Sequence, residues 1–308
     1  MMTSVILFIL LALLLLLVLS WFGIHLLRVM KKEAMGTDLT KETVPLARLP
    51  VGLEGLRILF ISDIHRRRID PGLTGQVEEQ GGVELVLIGG DVREKGVSLE
   101  LVRENMRLLS RLGPPYAVFG NHDYDEDIEA LRSCLEDAEV KILQNRYQMI
   151  RLPGREPFKL AGTDDPRTLR DRLEETLTTP LAPEPDQSLL QLRGGNSEPP
   201  FTVLMTHDPI IAYRNRQSGI AADLVLSGHT HGGQIVLPLL GPAMRTASVR
   251  KFRVGWFQLP APVAWQKTGP QKVRLLVSPG YGTSKAPIRL NCPPAIHLLV
   301  LTKGDKNS

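Results

Sequence analysis

The sequence has few cysteines: Cys134 and Cys292 are the two in 308 residues, and they lie in separate halves of the chain. Two distant cysteines do not indicate a disulfide framework, and they cannot supply the set of thiolates that a structural zinc site needs. Cys134 lies in a predicted helix and Cys292 in a proline-rich turn. We therefore expect no disulfide, and the low count is typical of a reducing compartment.

The chain also lacks a strong excess of either charge. Lysine and arginine total 37 against 33 acidic residues, which leaves a net charge of +4. This balance is compatible with a phosphorylated substrate or an anionic membrane surface, but it is too mild to indicate nucleic-acid binding. A composition of 43% apolar and 23% charged residues is ordinary for a globular core, and no internal repeat is evident.

Residues 5–24 contain no charged side chain and are mostly leucine, isoleucine, valine and phenylalanine. A helix of about 20 residues, at about 1.5 Å per residue, spans the hydrocarbon core of a bilayer. No basic residue precedes this run, and no small-residue cleavage site follows it before Arg28, so we expect a retained anchor over residues 1–32. Because Arg28, Lys31 and Lys32 follow the run, the positive-inside rule predicts a single-pass membrane protein whose following domain lies on the cytoplasmic face.

Polar clusters come directly after short apolar runs at five places in the chain. Apolar runs that end in glycine and polar residues are typical of buried strands that open into loops, and ligands bind at that edge of α/β sheets. The clustered residues are Asp63 and His65, Asp91, Asn121 with His122 and Asp123, His207, and finally His229 and His231.

The types and spacing of these residues indicate a metal site. In an extended segment, residues i and i+2 point the same way, so Asp63 and His65 could hold one ion from one side. Carboxylate, amide and imidazole ligands without thiolates suit Mn, Fe, Zn or similar divalent ions. An aspartate that bridges two ions, with a further ligand set on each side, is what a two-metal hydrolytic site requires.

These motifs resemble, in order, the five blocks of the calcineurin-like metallophosphoesterase superfamily, and in particular its membrane-anchored bacterial phosphodiesterases. The blocks are Asp63-x-His65, Gly90-Asp91, Gly120-Asn121-His122-Asp123, His207 and Gly228-His229-Thr230-His231. The resemblance covers roughly residues 55–302, and five blocks in order are far more specific than any one of them. The second block departs from the family pattern, since Glu94 and Lys95 stand where many relatives have Asp-Arg.

The resemblance implies two metals and in-line attack of water on phosphorus. One metal would be held by Asp63, His65, Asp91 and His231, and the other by Asp91, Asn121, His207 and His229. His122 is then the candidate general acid, and Asp123 or another carboxylate would orient its ring. The segment from Ser278 to Thr283 and Arg289 resemble the closing block of membrane-anchored bacterial members, where Tyr281 or Arg289 could meet substrate.

The pattern predicts an α/β fold, and the resemblance implies a two-sheet β-sandwich flanked by helices. We expect helices over 99–112 and 127–135, and strand-like runs at 235–237, 273–277 and 296–301. Residues 33–54 show no periodicity and are interpreted as a linker between the anchor and a metallophosphoesterase domain over 55–302, with a tail over 303–308. Residues 180–200 are interpreted as a surface excursion.

The predicted function is hydrolysis of a phosphodiester or pyrophosphate bond, with a lipid-linked or envelope-precursor substrate like that of UDP-2,3-diacylglucosamine hydrolases. A two-metal amidohydrolase would carry its His-x-His near the first strand, whereas here that motif comes last. The non-enzymatic alternative is a membrane scaffold that keeps its metals without turnover. Arg66, Arg67 and Arg68 are either a solvated charge run or a basic rim that attracts a phosphate or a lipid headgroup. His25 and His297 are interpreted as structural or interfacial.

Overall fold

The computed structural model describes residues 2–182, 199–262 and 272–304. Its helices are α1 (Met2–Ala34), α2 (Leu73–Glu79), α3 (Leu99–Ser110), α4 (Ile128–Glu136), α5 (Leu173–Thr178), α6 (Ile210–Arg214) and α7 (Ala247–Lys251). Its strands are β1 (Leu39–Leu46), β2 (Arg57–Ile61), β3 (Leu85–Ile88), β4 (Pro115–Ala117), β5 (Lys141–Ile142), β6 (Arg146–Ile150), β7 (Phe158–Gly162), β8 (Thr202–Met205), β9 (Leu224–Ser227), β10 (Val236–Leu237), β11 (Gly241–Pro242), β12 (Gly255–Pro260), β13 (Lys272–Val277) and β14 (Ile296–Lys303).

Two mixed sheets of six strands form the centre of the described structure. One sheet has the order β1-β14-β2-β3-β4-β5, and the other has the order β12-β13-β9-β8-β7-β6. In the first sheet β2, β3, β4 and β5 run parallel, and in the second β7, β8, β9 and β13 do. The carboxyl ends of neighbouring parallel strands therefore meet at one edge of each sheet.

Alternation along the strands explains how the sheets pack. Ile58 and Phe60 of β2 belong to the core between the sheets, with Val203 and Met205 of β8 opposite. Leu59 of β2 instead faces outward, where its sheet packs against α2, α3 and α4. The outer face of the other sheet packs against α5 and α6. The predicted two-sheet sandwich flanked by helices is confirmed.

The interpretation of residues 33–54 as a linker is wrong. The first helix continues to Ala34, and residues 39–46 form β1, which pairs in parallel with β14 over its whole length. Val44 and Leu46 are buried in the core, and Glu42 binds His297 of β14 and Trp256 of β12. The partner strand lies some 250 residues away along the chain, so the local sequence could not reveal it.

The end of α1 is part of the folded domain rather than free of it. Met30 and Ala34 are buried, and Glu33 accepts hydrogen bonds from the backbone N–H groups of Asn291 and Cys292. Residues 5–34 form a helix long and apolar enough to cross a membrane, and the described part of the structure buries no residue of its most apolar window. Most of the predicted surface excursion over 180–200 lies outside the described residues.

Candidate metal centre and active site

The loops that carry the predicted ligands converge after β2, β3, β4, β8 and β9. Two groups of residues each place all their ligand atoms within 4.8 Å of one another. One group is Asp63, His65 and His231, and the other is Asp63, Asp91 and His207. All five residues are buried. The structure therefore brings into one cluster side chains that are separated by up to 168 residues, as the strand-end pattern predicted.

Within the first group, two imidazole nitrogens face each other beside carboxylates. The Nε2 atoms of His65 and His231 are 3.1 Å apart. Asp63 Oδ1 lies 3.5 Å from His231 Nε2, and Asp91 Oδ2 lies 3.6 Å from His65 Nε2. Such convergence of nitrogen and oxygen lone pairs matches the donor set of a divalent ion.

A second set of donors lies around the same carboxylate oxygen of Asp91. Its Oδ2 lies 3.2 Å from His207 Nε2, which is 3.3 Å from His229 Nδ1. Asn121 Oδ1 is buried and accepts no hydrogen bond from any described residue. A buried amide oxygen without a partner is costly, so its presence beside this cluster fits a cation that it would bind.

The electrostatics of the cluster give His65, His231 and Asp91 the protonation states that metal binding requires, whereas His207 would have to release a proton to bind a metal. Burial lowers the pKa of both His65 and His231, so both imidazoles are neutral near pH 7. Burial alone would raise the pKa of Asp91, but the positive charge and hydrogen bond of His207 lower it strongly. Burial alone would lower the pKa of His207, and Asp91 outweighs it. Asp91 is thus an ionised carboxylate that attracts a cation.

The backbone of the ligand residues differs from the extended geometry expected for Asp63 and His65. Both have positive φ, 53° and 51°, and Asp91, His229 and His231 are also left-handed. Residues other than glycine rarely adopt this conformation, and it concentrates at functional sites, where the surrounding fold maintains it. The neighbouring Gly90 has φ 88°, and a Cβ there would come within 2.7 Å of His207 Nδ1. The site is therefore built on strained loops rather than on strand ends.

Carboxylates and carbonyls behind the ligands orient the rings. His207 Nδ1 lies 2.8 Å from the carbonyl oxygen of Gly89, and His229 Nε2 lies 3.2 Å from Asp208 Oδ2. Glu94 is buried, with Oε2 at 3.5 Å from His65 Nδ1. The contacts of His207 and His229 are of the kind that sets the tautomer and orientation of metal-binding imidazoles, whereas Glu94 lies near His65 without a hydrogen bond to it. The departure in the second block thus leaves a carboxylate beside His65, and Asp208 was missed because nothing in the sequence distinguishes it from an ordinary loop aspartate.

His122 lies at the edge of the cluster, but its ring is held by a different carboxylate from the one predicted by name. His122 Nδ1 is 2.6 Å from Asp125 Oδ2, while Asp123 accepts hydrogen bonds from the backbone N–H groups of Asp91, Val92, Arg93 and Gly120. Burial, with the charge of Asp91, raises the pKa of Asp123 to about 7. Asp123 therefore holds the second and third blocks together, and Asp125 orients His122.

Arg289 and Tyr281, the two other residues predicted to meet substrate, are buried. Arg289 is fully buried and donates to the carbonyl oxygens of Pro279, Gly280, Gly282 and Cys292, while Tyr281 is buried beneath Arg67. Both therefore support the loop behind His231. His297 bonds to Glu42 and Ser278, and His25 stacks on Trp21 within α1, as expected for structural roles.

The basic run splits into different local contacts. Arg67 donates to the carbonyl oxygens of Tyr281, Met35 and Gly36, so it ties the end of α1 to the domain. Arg66 pairs with Glu94 and Arg68 with Glu104, although both arginine side chains are largely exposed. An arginine outside the recognised blocks comes closer to the centre: exposed Arg167 has Nη1 at 3.4 Å from His229 Nε2.

A mixed two-sheet sandwich with buried carboxylates and imidazoles on its strand-end loops defines a metal-dependent hydrolase. The sequence profile described as "Calcineurin-like phosphoesterase" matches residues 56–233, more than half of the chain. The chain belongs to this family, and it is a metal-dependent phosphoester hydrolase whose family uses divalent metals. The predicted superfamily and enzyme class are confirmed.

Similar proteins come from bacteria and from a vertebrate. The "Uncharacterized protein YpbG" of Bacillus subtilis is 34% identical over 275 residues, which cover 88% of this chain and 90% of the relative. The "Phosphodiesterase YaeI" of Escherichia coli is 26% identical, with 80% and 82% covered. The "Transmembrane protein with metallophosphoesterase domain" of Danio rerio is 28% identical over 85% of this chain, which spans 56% of that relative.

Proposed function

We propose that the protein is a membrane-anchored phosphoesterase with two divalent metals, which hydrolyses a phosphodiester or a pyrophosphate. The observation that carries the proposal is the convergence of buried donors around Asp91, together with the unpartnered Oδ1 of Asn121. One ion would be held by Asp63, His65, Asp91 and His231, and the other by Asp91, Asn121, His207 and His229. Mn, Fe and Zn suit these donors.

Bound divalent ions would supply Lewis-acid activation and charge neutralisation at the phosphoryl group. Asp91 lies between the two histidine sets and supplies the negative charge that both cation positions share. Asp208 and the carbonyl oxygen of Gly89 keep the imidazole rings of His229 and His207 in place, so these donors need no reorganisation when substrate binds.

In this proposal His122 protonates the leaving oxygen. Asp125 accepts at Nδ1, which leaves Nε2 for the substrate. Burial alone would lower the pKa of His122, but the charge of Asp91 and the hydrogen bond to Asp125 raise it, which favours the protonated form of the ring. A partly exposed, protonated imidazole beside a metal centre has the properties of a general acid. Arg167, exposed beside His229, would contact a phosphate oxygen of the substrate.

The substrate we propose is lipid-linked or an envelope precursor. The support for this class is the apolar helix, which continues without a break into contacts with the catalytic domain and would therefore keep the site near a bilayer. A soluble nucleotide would gain nothing from this attachment. No nucleic-acid partner is expected, because the net charge is only +4.

The activity can be tested with the full chain in detergent, since removal of α1 would expose the surface that Met30 and Ala34 cover. With Mn²⁺ added, we expect hydrolysis of bis-p-nitrophenyl phosphate, and we expect a chelator to abolish it until metal is restored. Metal binding without turnover on a panel of phosphomonoesters and phosphodiesters would instead support the scaffold alternative.

We further propose that the catalytic domain lies on the cytoplasmic face. The support is the group of basic residues that follows the apolar run, Arg28, Lys31 and Lys32, all of which are exposed at the end of α1. A reporter enzyme that is active only outside the cytoplasm, fused after residue 308, should remain inactive in cells. A fully active external reporter would place the domain on the other face.

A further inference from the structure

The end of β10 and the loop that leads to β11 expose three leucines. Leu237, Leu239 and Leu240 are 39%, 107% and 67% exposed. Leu239 also has φ 64°, a conformation that side chains larger than that of glycine rarely adopt. A turn of this kind is ordinarily polar or contains glycine, so its apolar residues are unfavourable in water and suggest a different surrounding medium.

A basic groove adjoins this loop. It has a volume of about 590 Å³ and is lined by Arg245, Arg250, Lys251 and Arg253, with Phe257 among the apolar residues. Arg245 also donates to the carbonyl oxygen of Leu240, so the groove is continuous with the leucine loop. Among the described residues, none of the four basic side chains forms an ion pair with a carboxylate. Their positive charge is therefore available to an anion.

Hydrogen bonds connect the same loop to the end of the apolar helix. Val236 donates to the carbonyl oxygen of Leu290, and Arg289 donates from its backbone N–H to the carbonyl oxygen of Met30. Met30 comes six residues after the uncharged run, which corresponds to about 9 Å of helix. This is comparable with the thickness of one headgroup layer, and the three residue steps from Val236 to Leu239 can extend by about 10 Å. The leucines can thus return to the edge of the hydrocarbon core.

The groove also contacts the loop from His229 to Gly232. Arg253 donates from Nη1 to the carbonyl oxygen of Gly232, and Thr230 Oγ1 donates to the carbonyl oxygen of Arg253. Thr230 and Gly232 are the neighbours of His229 and His231. A molecule held by the groove would therefore lie beside the loop that carries two of the proposed ligands.

We propose that the surface formed by Leu237–Leu240 and the basic groove docks on an anionic lipid bilayer. Leu239 and Leu240 enter the acyl boundary, while Arg245, Arg250, Lys251 and Arg253 bind phosphate headgroups. An apolar tip flanked by basic groups that have no carboxylate partner among the described residues, and tied to an apolar helix, matches the two layers of a membrane surface, apolar inside and anionic outside. The proposal rests on the membrane attachment proposed above, and it means that α1 is not the sole contact with lipid.

The test uses the full chain in vesicles of phosphatidylethanolamine and phosphatidylglycerol, with an environment-sensitive fluorophore on single introduced cysteines. Native Cys134 and Cys292 are buried, so they react slowly. Leu239→Cys is the test position and Phe22→Cys in α1 is the positive control. Val51→Cys is the matched negative control, because Val51 is 87% exposed but lies beyond the far end of β1, about 26 Å of strand from the α1 side.

We expect quenchers attached to acyl chains to quench the label at residue 239 several-fold more than the label at residue 51. Quenching at residue 22 but not at residue 239 would overturn the proposal while leaving the anchor intact. A blue-shifted label at residue 239 that lipid-bound quenchers do not reach would indicate a protein contact, and it would also overturn the proposal. None of these readouts depends on turnover, so they separate this proposal from the proposed hydrolysis.

A second set of measurements tests whether the basic groove binds anionic headgroups. In vesicles without phosphatidylglycerol, quenching at residue 239 should fall, and the double substitution Arg250→Gln with Lys251→Gln should remove this dependence on anionic lipid. A melting curve by circular dichroism checks that the variant is folded. Equal quenching with and without anionic lipid in the parent protein would show that the groove does not bind headgroups.

Discussion

Replacement of Asp91 by asparagine is expected to remove bound metal and to reduce phosphodiester hydrolysis by more than about 100-fold, since groups that only orient metal ligands already contribute 10 to 100-fold. Asp91 Oδ2 lies 3.2 Å from His207 Nε2 and 3.6 Å from His65 Nε2. The amide has the same shape but no charge, so both cation positions lose the carboxylate between them. Metal content by mass spectrometry and the rate with bis-p-nitrophenyl phosphate measure the effect.

A buried aspartate outside the cluster provides the control. Asp164 is 3% exposed and accepts hydrogen bonds from Tyr124 and Gln144. Asp164→Asn removes a buried charge from the same sandwich, and it should lower thermal stability while leaving the metal content unchanged. If Asp91→Asn retained both metals and full activity, the proposed bridging position would be incorrect.

Replacement of His122 by alanine is expected to reduce the rate by about 10²- to 10⁴-fold while both metals remain bound, which is the range for loss of a general acid. The loss should be greatest for substrates with poor leaving groups, because these depend most on protonation of the departing oxygen. Rates for a series of aryl phosphodiesters, measured beside metal content, separate this effect from a structural one. Loss of metal in His122→Ala would make His122 a ligand instead.

The hydrogen bond between His122 and Asp125 predicts how activity depends on pH. The hydrogen bond to Asp125 helps to raise the pKa of His122, and the protonated ring is the active form. Activity should therefore fall as the pH rises through this pKa, and Asp125→Asn should move that decline to lower pH. Asp123→Asn should instead lower thermal stability, because Asp123 accepts hydrogen bonds from backbone N–H groups of two loops. An unchanged pH profile in Asp125→Asn would remove Asp125 from this role.

Much of the fold and of the candidate site follows from local patterns in the sequence. Short apolar runs predicted strands because a buried strand needs apolar side chains, and α3 and α4 lie close to the predicted helices. Polar residues after these runs predicted which side chains meet, because the carboxyl ends of parallel strands share an edge. The apolar run of residues 5–24 indicated a helix that could span a membrane on length and composition alone.

Other features depend on contacts between distant segments. β1 has a sequence that looks like a linker, and it is a strand only because β14 supplies hydrogen-bond partners and the core accepts Val44 and Leu46. His122 pairs with Asp125 rather than with Asp123 because of the backbone conformation of the turn between them. The spacing of these residues in the sequence does not specify that conformation. The left-handed conformation of Asp63 and His65 costs energy locally, so tertiary packing must impose it.

The sequence by itself determined which runs form buried strands, which types of metal ligand follow them and what chemistry those ligands support. It could do so because hydrophobic periodicity and donor chemistry are local properties. Only the tertiary structure decided which carboxylate holds which ring, that Arg289 and Tyr281 are buried supports, and that the end of α1, the leucine loop and the metal centre are neighbours. These outcomes depend on hydrogen bonds and burial between segments far apart in the chain, and the energy of such contacts exists only once the sheets have packed.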